Sequence, residues 1–326
     1  MTLARLALGA LVGVVACGGS EVSNGATDAG LADGRGGDAP VSVLPDARSA
    51  TDARTADARP AADARIAPDS PPAADAGSTS CHVDVEVPAG CTQSSCRQLE
   101  RRLASTTCIT QGYLEYTPPG YGDGALRPLL LFYHGIGENG DGVAELANVA
   151  NAGPPALIKG NKWPLDREFI VLSPQHFARP ATSCHSVGEI KAMVAYATAN
   201  YDVDRTRIYL TGLSCGGIGI WNYLGSALDT QGVVAMVPIA GDGRSAWNQQ
   251  GCKLGRVAIW AFHNDHDPTV NSLGTTVPVT NLTTMCQPVP DVQMTIYTST
   301  QHDSWSKTYD LSAGHDIYTW LLQHHR

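Results

Sequence analysis

The sequence predicts an α/β fold, a mostly parallel central sheet flanked by helices. Three observations carry it. Strand-like apolar runs at 128 to 133, 168 to 173, 206 to 211, 233 to 239, 256 to 262 and 292 to 297 alternate with helical candidates such as Val187 to Tyr201, Ile218 to Ala227 and Val277 to Cys286. Such alternation means parallel strands covered on both faces. A serine, two aspartates and a histidine stand just beyond the carboxyl ends of three of these runs, the end at which open parallel sheets bind ligands. From about Cys81 onward the composition is that of a globular domain of roughly 245 residues, enough to bury one sizeable core.

Taken in chain order, residues 1–17 come first. Arg5 precedes the apolar run Leu6 to Ala16, which is too short to span a bilayer and reads as a signal peptide. The run ends Val14-Val15-Ala16-Cys17, which resembles a bacterial lipobox, so Cys17 is the candidate lipidation site and membrane anchor. Residues 18–80 contain no Phe, Trp or Tyr, and Asp-Ala-Arg recurs at Asp46, Asp52, Asp57 and Asp63. A segment of this composition cannot bury a core and is expected to be a disordered linker. As a flexible coil it reaches on the order of 45 Å, enough to hold a domain off a membrane.

The domain proper is expected over 81–326, opening with a Cys-rich cap at 81–110 that holds Cys81, Cys91, Cys96 and Cys108. With Cys184, Cys215, Cys252 and Cys286 the count after Cys17 is eight, and an even number in an exported chain reads as disulfides. Eight cysteines permit 105 pairings, so connectivity stays open. If Cys215 pairs, for instance with Cys184, the bridge stands beside the candidate nucleophile; Cys252 and Cys286 flank the acid-bearing loop.

Next, the apolar strand Leu129 to Tyr133 feeds His134-Gly135-Ile136-Gly137-Glu138-Asn139-Gly140, whose glycines let backbone N–H groups approach a substrate oxygen. Neither Gly-Lys-Ser/Thr nor Gly-x-Gly-x-x-Gly is present, which argues against a phosphate cradle. Further on, Ile208, Tyr209 and Leu210 run into Gly212-Leu213-Ser214-Cys215-Gly216, and a helical spacing resumes at Ile218. Strand, Gly-x-Ser-x-Gly and helix in that order make a nucleophile elbow, a turn that lifts Ser214 above the sheet edge at the positive end of a helix. The backbone N–H groups of Cys215 and Ile136 are the candidate oxyanion donors.

A nucleophilic serine needs a base and the base an orienting acid. The run Arg256 to Phe262 ends in His263-Asn264-Asp265-His266-Asp267-Pro268, and Val292 to Tyr297 is followed by Gln301-His302-Asp303-Ser304-Trp305. Asp267 is preferred to Asp265 as the acid because Pro268 ends the strand and Val270 anchors the loop. His302 is preferred to His315, which reads as a helix-start residue. The His263/Asp265/His266/Asp267 cluster has metal-like spacing, yet one short loop offers no second set of ligands, so no metal and no cofactor is expected. A formal net charge of -9 and the lack of any basic run exclude nucleic acid as a partner.

At this point six motifs in order resemble a known group. Tyr116 to Tyr121, His134 to Gly140, Ser173-Pro174-Gln175, Val203 to Ser214, His302 to Trp305 and Tyr318 to Leu321 look like the secreted alpha/beta-hydrolase esterases. That group includes carboxylesterases, feruloyl-esterase-like and polyhydroxyalkanoate-depolymerase-like enzymes, and predicted peptidases of the prolyl-oligopeptidase type. The resemblance spans roughly residues 112 to 323 and implies the alpha/beta-hydrolase fold. It further implies a Ser214, Asp267, His302 triad with the oxyanion site on His134 to Gly137, and Cys215 departs from the usual Met-like residue after the serine. The expected activity is hydrolysis of carboxylic esters, suited to polymers too large to import, by a monomer exported to the cell surface or beyond. A peptidase of the same fold is the in-class alternative, disfavoured because no propeller or gating domain is legible; a non-catalytic surface binding module is the alternative from another class. Gln175 and Trp305 are the candidate substrate contacts, with Tyr133, His176, Phe177 and Trp221 nearby.

Overall fold

A computed structural model of the chain describes residues 87–102, 112–177, 183–226 and 229–326. The expected signal peptide, the Cys17 anchor, the linker, Cys81 and Cys108 lie outside the described residues.

Among the described residues eight strands form one sheet: β1 (Gln98–Arg102), β2 (Gly112–Tyr116), β3 (Arg127–Tyr133), β4 (Ile170–Pro174), β5 (Val203–Leu213), β6 (Val233–Ile239), β7 (Ala258–Asn264) and β8 (Val292–Tyr297). Their order is β1-β2-β4-β3-β5-β6-β7-β8. The six strands from β3 to β8 are parallel to one another, while β2 pairs antiparallel with both β1 and β4. Within the stretch expected as a Cys-rich N-terminal cap, Gln98–Arg102 is an edge strand of the central sheet, anchored by bidentate hydrogen bonds from Arg101 to the buried Glu115 of β2. Of the cysteines in that stretch, Cys91 and Cys96 are bridged to each other.

The sheet is covered on both faces because its strands are apolar on both faces. Along β3 the side chains alternate between two cores. Leu129, Leu131 and Tyr133 join Ile190, Ile220, Trp221 and Val279 on one side; Leu130 and Phe132 join Ile158, Tyr309, Tyr318 and Leu321 on the other. A period of two with every residue buried is the signature of an interior parallel strand. The first face is built by α2 (Val187–Asn200), α3 (Cys215–Ser226), α4 (Arg244–Gln250) and α5 (Leu273–Met285), the second by α1 (Gly153–Lys159), α6 (Trp305–Tyr309) and α7 (Ile317–Leu322). Helix α2 starts on a capping box, in which Ser186 Oγ accepts from Glu189 N–H and the Glu189 carboxylate accepts from Ser186 N–H.

Strand order places the site. β3 is followed in sequence by β4 on one side and in space by β5 on the other, so the chain direction switches between β3 and β5. At such a switch the loops leaving the two carboxyl ends diverge and leave a crevice. The loop after β3 carries His134 to Gly140, and the turn after β5 carries Ser214.

Two further disulfides, Cys184–Cys215 and Cys252–Cys286, join distant parts of this domain. Such bonds persist in an oxidising, extracellular type of environment. Among the described residues no helix is long and apolar enough to cross a membrane.

Candidate active site

The turn at Ser214 is held from three sides. Its N–H donates to Ile239 O of β6 at 2.8 Å, its carbonyl accepts from Ile218 N–H at 2.9 Å, and its φ is +49°, in the left-handed region that a residue with a Cβ rarely adopts. Backbone strain of this kind persists only where the surroundings over-determine it. The glycines make those surroundings possible: a Cβ on Gly216 would collide with the Tyr133 carbonyl of β3, and one on Gly212 would sit 2.7 Å from the Gly216 carbonyl carbon. Helix α3 can therefore enter directly against the sheet, with Ser214 raised at its first turn.

The three residues expected as nucleophile, base and acid meet here. His302 Nε2 accepts from Ser214 Oγ at 2.8 Å, and His302 Nδ1 donates to Asp267 Oδ2 at 2.7 Å. Asp267 is fully enclosed, whereas His302 keeps an edge open to solvent. The other Asp267 oxygen accepts from the N–H groups of Thr269 (2.8 Å) and Val270 (3.0 Å), so the carboxylate is fixed by its own loop. Behind it the buried His263 donates from Nε2 to Val270 O at 2.9 Å and accepts at Nδ1 from Thr275 Oγ1 at 2.8 Å; burial holds its pKa down, against the pull of the Val270 carbonyl and of Asp267. The rival acid, Asp265, points elsewhere: it accepts from Ser299 N–H and from His266, both within 2.9 Å. The rival base, His315, packs its ring against Trp260, Phe262 and Tyr297.

Opposite the serine lies the loop after β3. Ile136 opens a 3-10 turn and Cys215 opens α3, and N–H groups in the first positions of a helix have no partner within it. A Cβ placed on Gly135 would stand 2.9 Å from the Leu213 side chain and 3.8 Å from Ser214 Cβ, which shows how closely this loop approaches the nucleophile. His134, wholly buried, donates from Nδ1 to Gly135 O at 2.6 Å and accepts at Nε2 from His176 N–H at 2.9 Å. Burial lowers its pKa to about 4, which keeps the ring neutral and able to make both bonds. Because Gly135 O and Ile136 N–H share one peptide plane and point in opposite directions, the bond to the first orients the second. This role of His134 was not read from the sequence; the signal, a histidine between a buried strand and Gly-x-Gly, was there.

Gln175, expected as a substrate contact, is buried and fully committed to the same loop. Its Nε2 donates to Glu138 O and Glu145 O, each at 2.8 Å, and its Oε1 accepts from Gly142 N–H at 2.7 Å. These bonds brace the loop. The other candidate contact, Trp305, stands edge-on to the His302 ring at 5.0 Å between centroids and packs on the second core. Tyr133 and Trp221 are core residues, and His176 is buried, donating from Nδ1 to Glu189 at 2.7 Å. Phe177 is exposed, as is Ile136, and a bridge between Gly140 and Phe177 ties their two loops together.

Comparison with known proteins bears on the family and the fold. Residues 122–320 match the family model described as phospholipase/carboxylesterase. A search of the curated proteins finds no match. Among solved structures, a thermostable esterase is similar at 23% identity and a TM-score of 0.52, over 71% of this chain and 64% of that one. A protein designated FAE is similar at 14% and 0.50, over 71% and 91%, and dipeptidyl peptidase 4 of Porphyromonas gingivalis at 14% and 0.51, over 70% and 35%. The chain thus spans less than two thirds of the thermostable esterase and about a third of the peptidase, and at these identities the likeness is one of fold.

Proposed function

Given that the chain belongs to the phospholipase/carboxylesterase family of alpha/beta hydrolases, we propose that it is an exported serine esterase working through Ser214, His302 and Asp267. The observation that carries the reading is the continuous relay from Ser214 Oγ through His302 to Asp267, with both links under 3 Å. His302 takes the serine proton as Oγ attacks the ester carbonyl. Asp267 fixes the tautomer that leaves Nε2 free to accept and stabilises the imidazolium that forms. The N–H groups of Ile136 and Cys215 receive the oxyanion, each contributing about 3 kcal/mol to lowering the barrier. His302 then protonates the departing alcohol, and water, activated by the same ring, releases the acyl group from Ser214.

Support for a bulky or apolar ester comes from the exposed Ile136 and Phe177 side chains on the loops beyond β3 and β4. Exposed apolar side chains on the loop facing a nucleophile and on the loop bridged to it suit a substrate that is laid across the surface, such as a polyester segment or an acylated polysaccharide. The three disulfides among the described residues fit export, and the lipobox-like Cys17 with the linker behind it fits tethering at the cell surface.

The test is labelling of the purified protein with a fluorophosphonate probe alongside turnover of p-nitrophenyl acetate and butyrate, wild type against Ser214→Ala. Labelling and turnover that vanish together in the variant support the esterase. A folded wild type that does not label sinks the catalytic reading and leaves a surface binding module. Labelling with cleavage of peptides but not esters selects the peptidase.

A further inference from the structure

We propose that the Cys184–Cys215 disulfide is a working part of the oxyanion site: it fixes the Cys215 N–H against the loop that presents the Ile136 N–H. The proposal rests on the esterase reading above. Cys215 directly follows the nucleophile and is buried, and its partner Cys184 lies in the short segment 183–186 that precedes α2. That segment touches the oxyanion loop at several points. Asn139 Nδ2 donates to Ser183 O at 2.9 Å, and Ser183 Oγ donates to His176 Nε2 at 2.9 Å. His176 in turn accepts at its carbonyl from Gly140 N–H at 3.1 Å and donates its N–H to His134, the ring that orients the Gly135–Ile136 peptide. The buried His185 ring stands edge-on to His134 at 4.5 Å and to Tyr133 at 5.0 Å.

On its other side the segment lies on α3. A Cβ at Gly219, one turn beyond Cys215, would come within 3.0 Å of the His185 carbonyl, so the glycine leaves room for that contact. The segment thus links the loop that carries one donor to the helix that carries the other, joined to the first by hydrogen bonds and ring contacts and to the second by a covalent bond. Two N–H groups act together on one oxygen only if their separation is held to a fraction of an ångström, and a small misplacement of such donors costs rate, not substrate binding. Cys184, Cys215 and Asn139 are positioning residues; none of their side chains takes part in bond making.

The experiment compares the Cys184→Ala/Cys215→Ala protein with Cys252→Ala/Cys286→Ala, both in the full chain. The two bridges close loops of nearly equal length, 31 and 34 residues apart in sequence, so their losses should lower Tm alike. The expected result is that removal of Cys184–Cys215 lowers kcat for p-nitrophenyl butyrate at least tenfold, with KM within twofold and the shape of the pH–rate profile unchanged. Removal of Cys252–Cys286 should leave kcat at the wild-type level. Asn139→Ala, a change at an exposed contact, gives a second reading that does not depend on losing a bridge: kcat should fall about threefold with Tm unmoved, and the change should have no further effect once Cys184–Cys215 is gone. Wild-type kcat in the protein lacking Cys184–Cys215, equal losses of kcat from both bridges, or wild-type kcat in Asn139→Ala would overturn the proposal. These outcomes are read on an active wild type, so they are distinct from a wild type that neither labels nor turns over, which overturns the esterase reading itself.

Discussion

Ser214 has a left-handed backbone conformation, and a glycine at that position would adopt it at no steric cost. Ser214→Gly should therefore be inactive yet at least as stable as wild type, with Tm unchanged or raised by a few degrees, since positive-φ strain costs on the order of 1 kcal/mol or more. A Tm clearly below that of wild type would show that the turn is not strained. Asp267→Asn should keep the fold and lose turnover by about four orders of magnitude, because an amide favours the imidazole tautomer that places the proton on the wrong nitrogen. Three buried histidines set the acid limit. His134 has its pKa lowered to about 4, and those of His185 and His263 are also held down, in each case first by burial. A lowered folded pKa means that the unfolded chain takes up the proton first, so this stability is fully present above the unfolded value of about 6.5 and drains away as pH falls towards 4. His134 alone amounts to about 3 kcal/mol over that range. The expected outcome is a Tm that falls steadily from pH 7 to pH 4.5, with a shallower slope in His134→Gln. The meeting of Ser214, His302 and Asp267 was legible in the sequence because each sits beside a Gly, a Pro or an apolar anchor after a strand. The bracing bonds of Gln175 and the His134–His176 bond were not, because hydrogen bonds to backbone groups thirty or more residues away leave no local pattern.

At the scale of elements, the contact between α3 and β3 decides whether the elbow forms. A methyl group on Gly216 has backbone on the far side and nothing flexible to displace, so Gly216→Ala should cost roughly 3 kcal/mol or more and give insoluble or inactive protein. Gly137, with no heavy atom within 4 Å of its would-be Cβ, should accept alanine with a loss below about 0.5 kcal/mol, and thermal melts of the two variants test the contrast. The central strands were readable to within a few residues. β6 and β8 match their expected bounds, and β5 runs longer at both ends because its first residues pair with Arg127 outside the apolar run. β1 and β2 were missed for a physical reason. An edge strand such as Gln98–Arg102 needs only one partner and tolerates charge, so its sequence lacks the continuous apolar run that marks an interior strand. Helix α5 begins four residues before its expected start and carries Pro278 in its interior, a residue that argues against helix wherever tertiary packing does not override it.

On the scale of the whole molecule, disulfides and sheet order govern how the protein fails. Each of the two long-range bridges is worth about 4 kcal/mol by loop-closure entropy, so reduction should lower Tm far more than any single surface change, as a melt with and without reductant would show. The parts of the site are also unequally supported. Ser214 and both candidate oxyanion donors leave β3 and β5, adjacent strands in the middle of the sheet, while Asp267 follows β7 and His302 follows β8, which has a neighbour on one side only. Elements with few buried apolar contacts open at the lowest free energy, and in β8 only Val292 is buried. Heat should therefore disconnect the proton relay while the serine still stands ready on an intact central sheet. Turnover would vanish several degrees below the melt seen by circular dichroism and return at once on cooling, which makes the last strand a built-in thermal fuse.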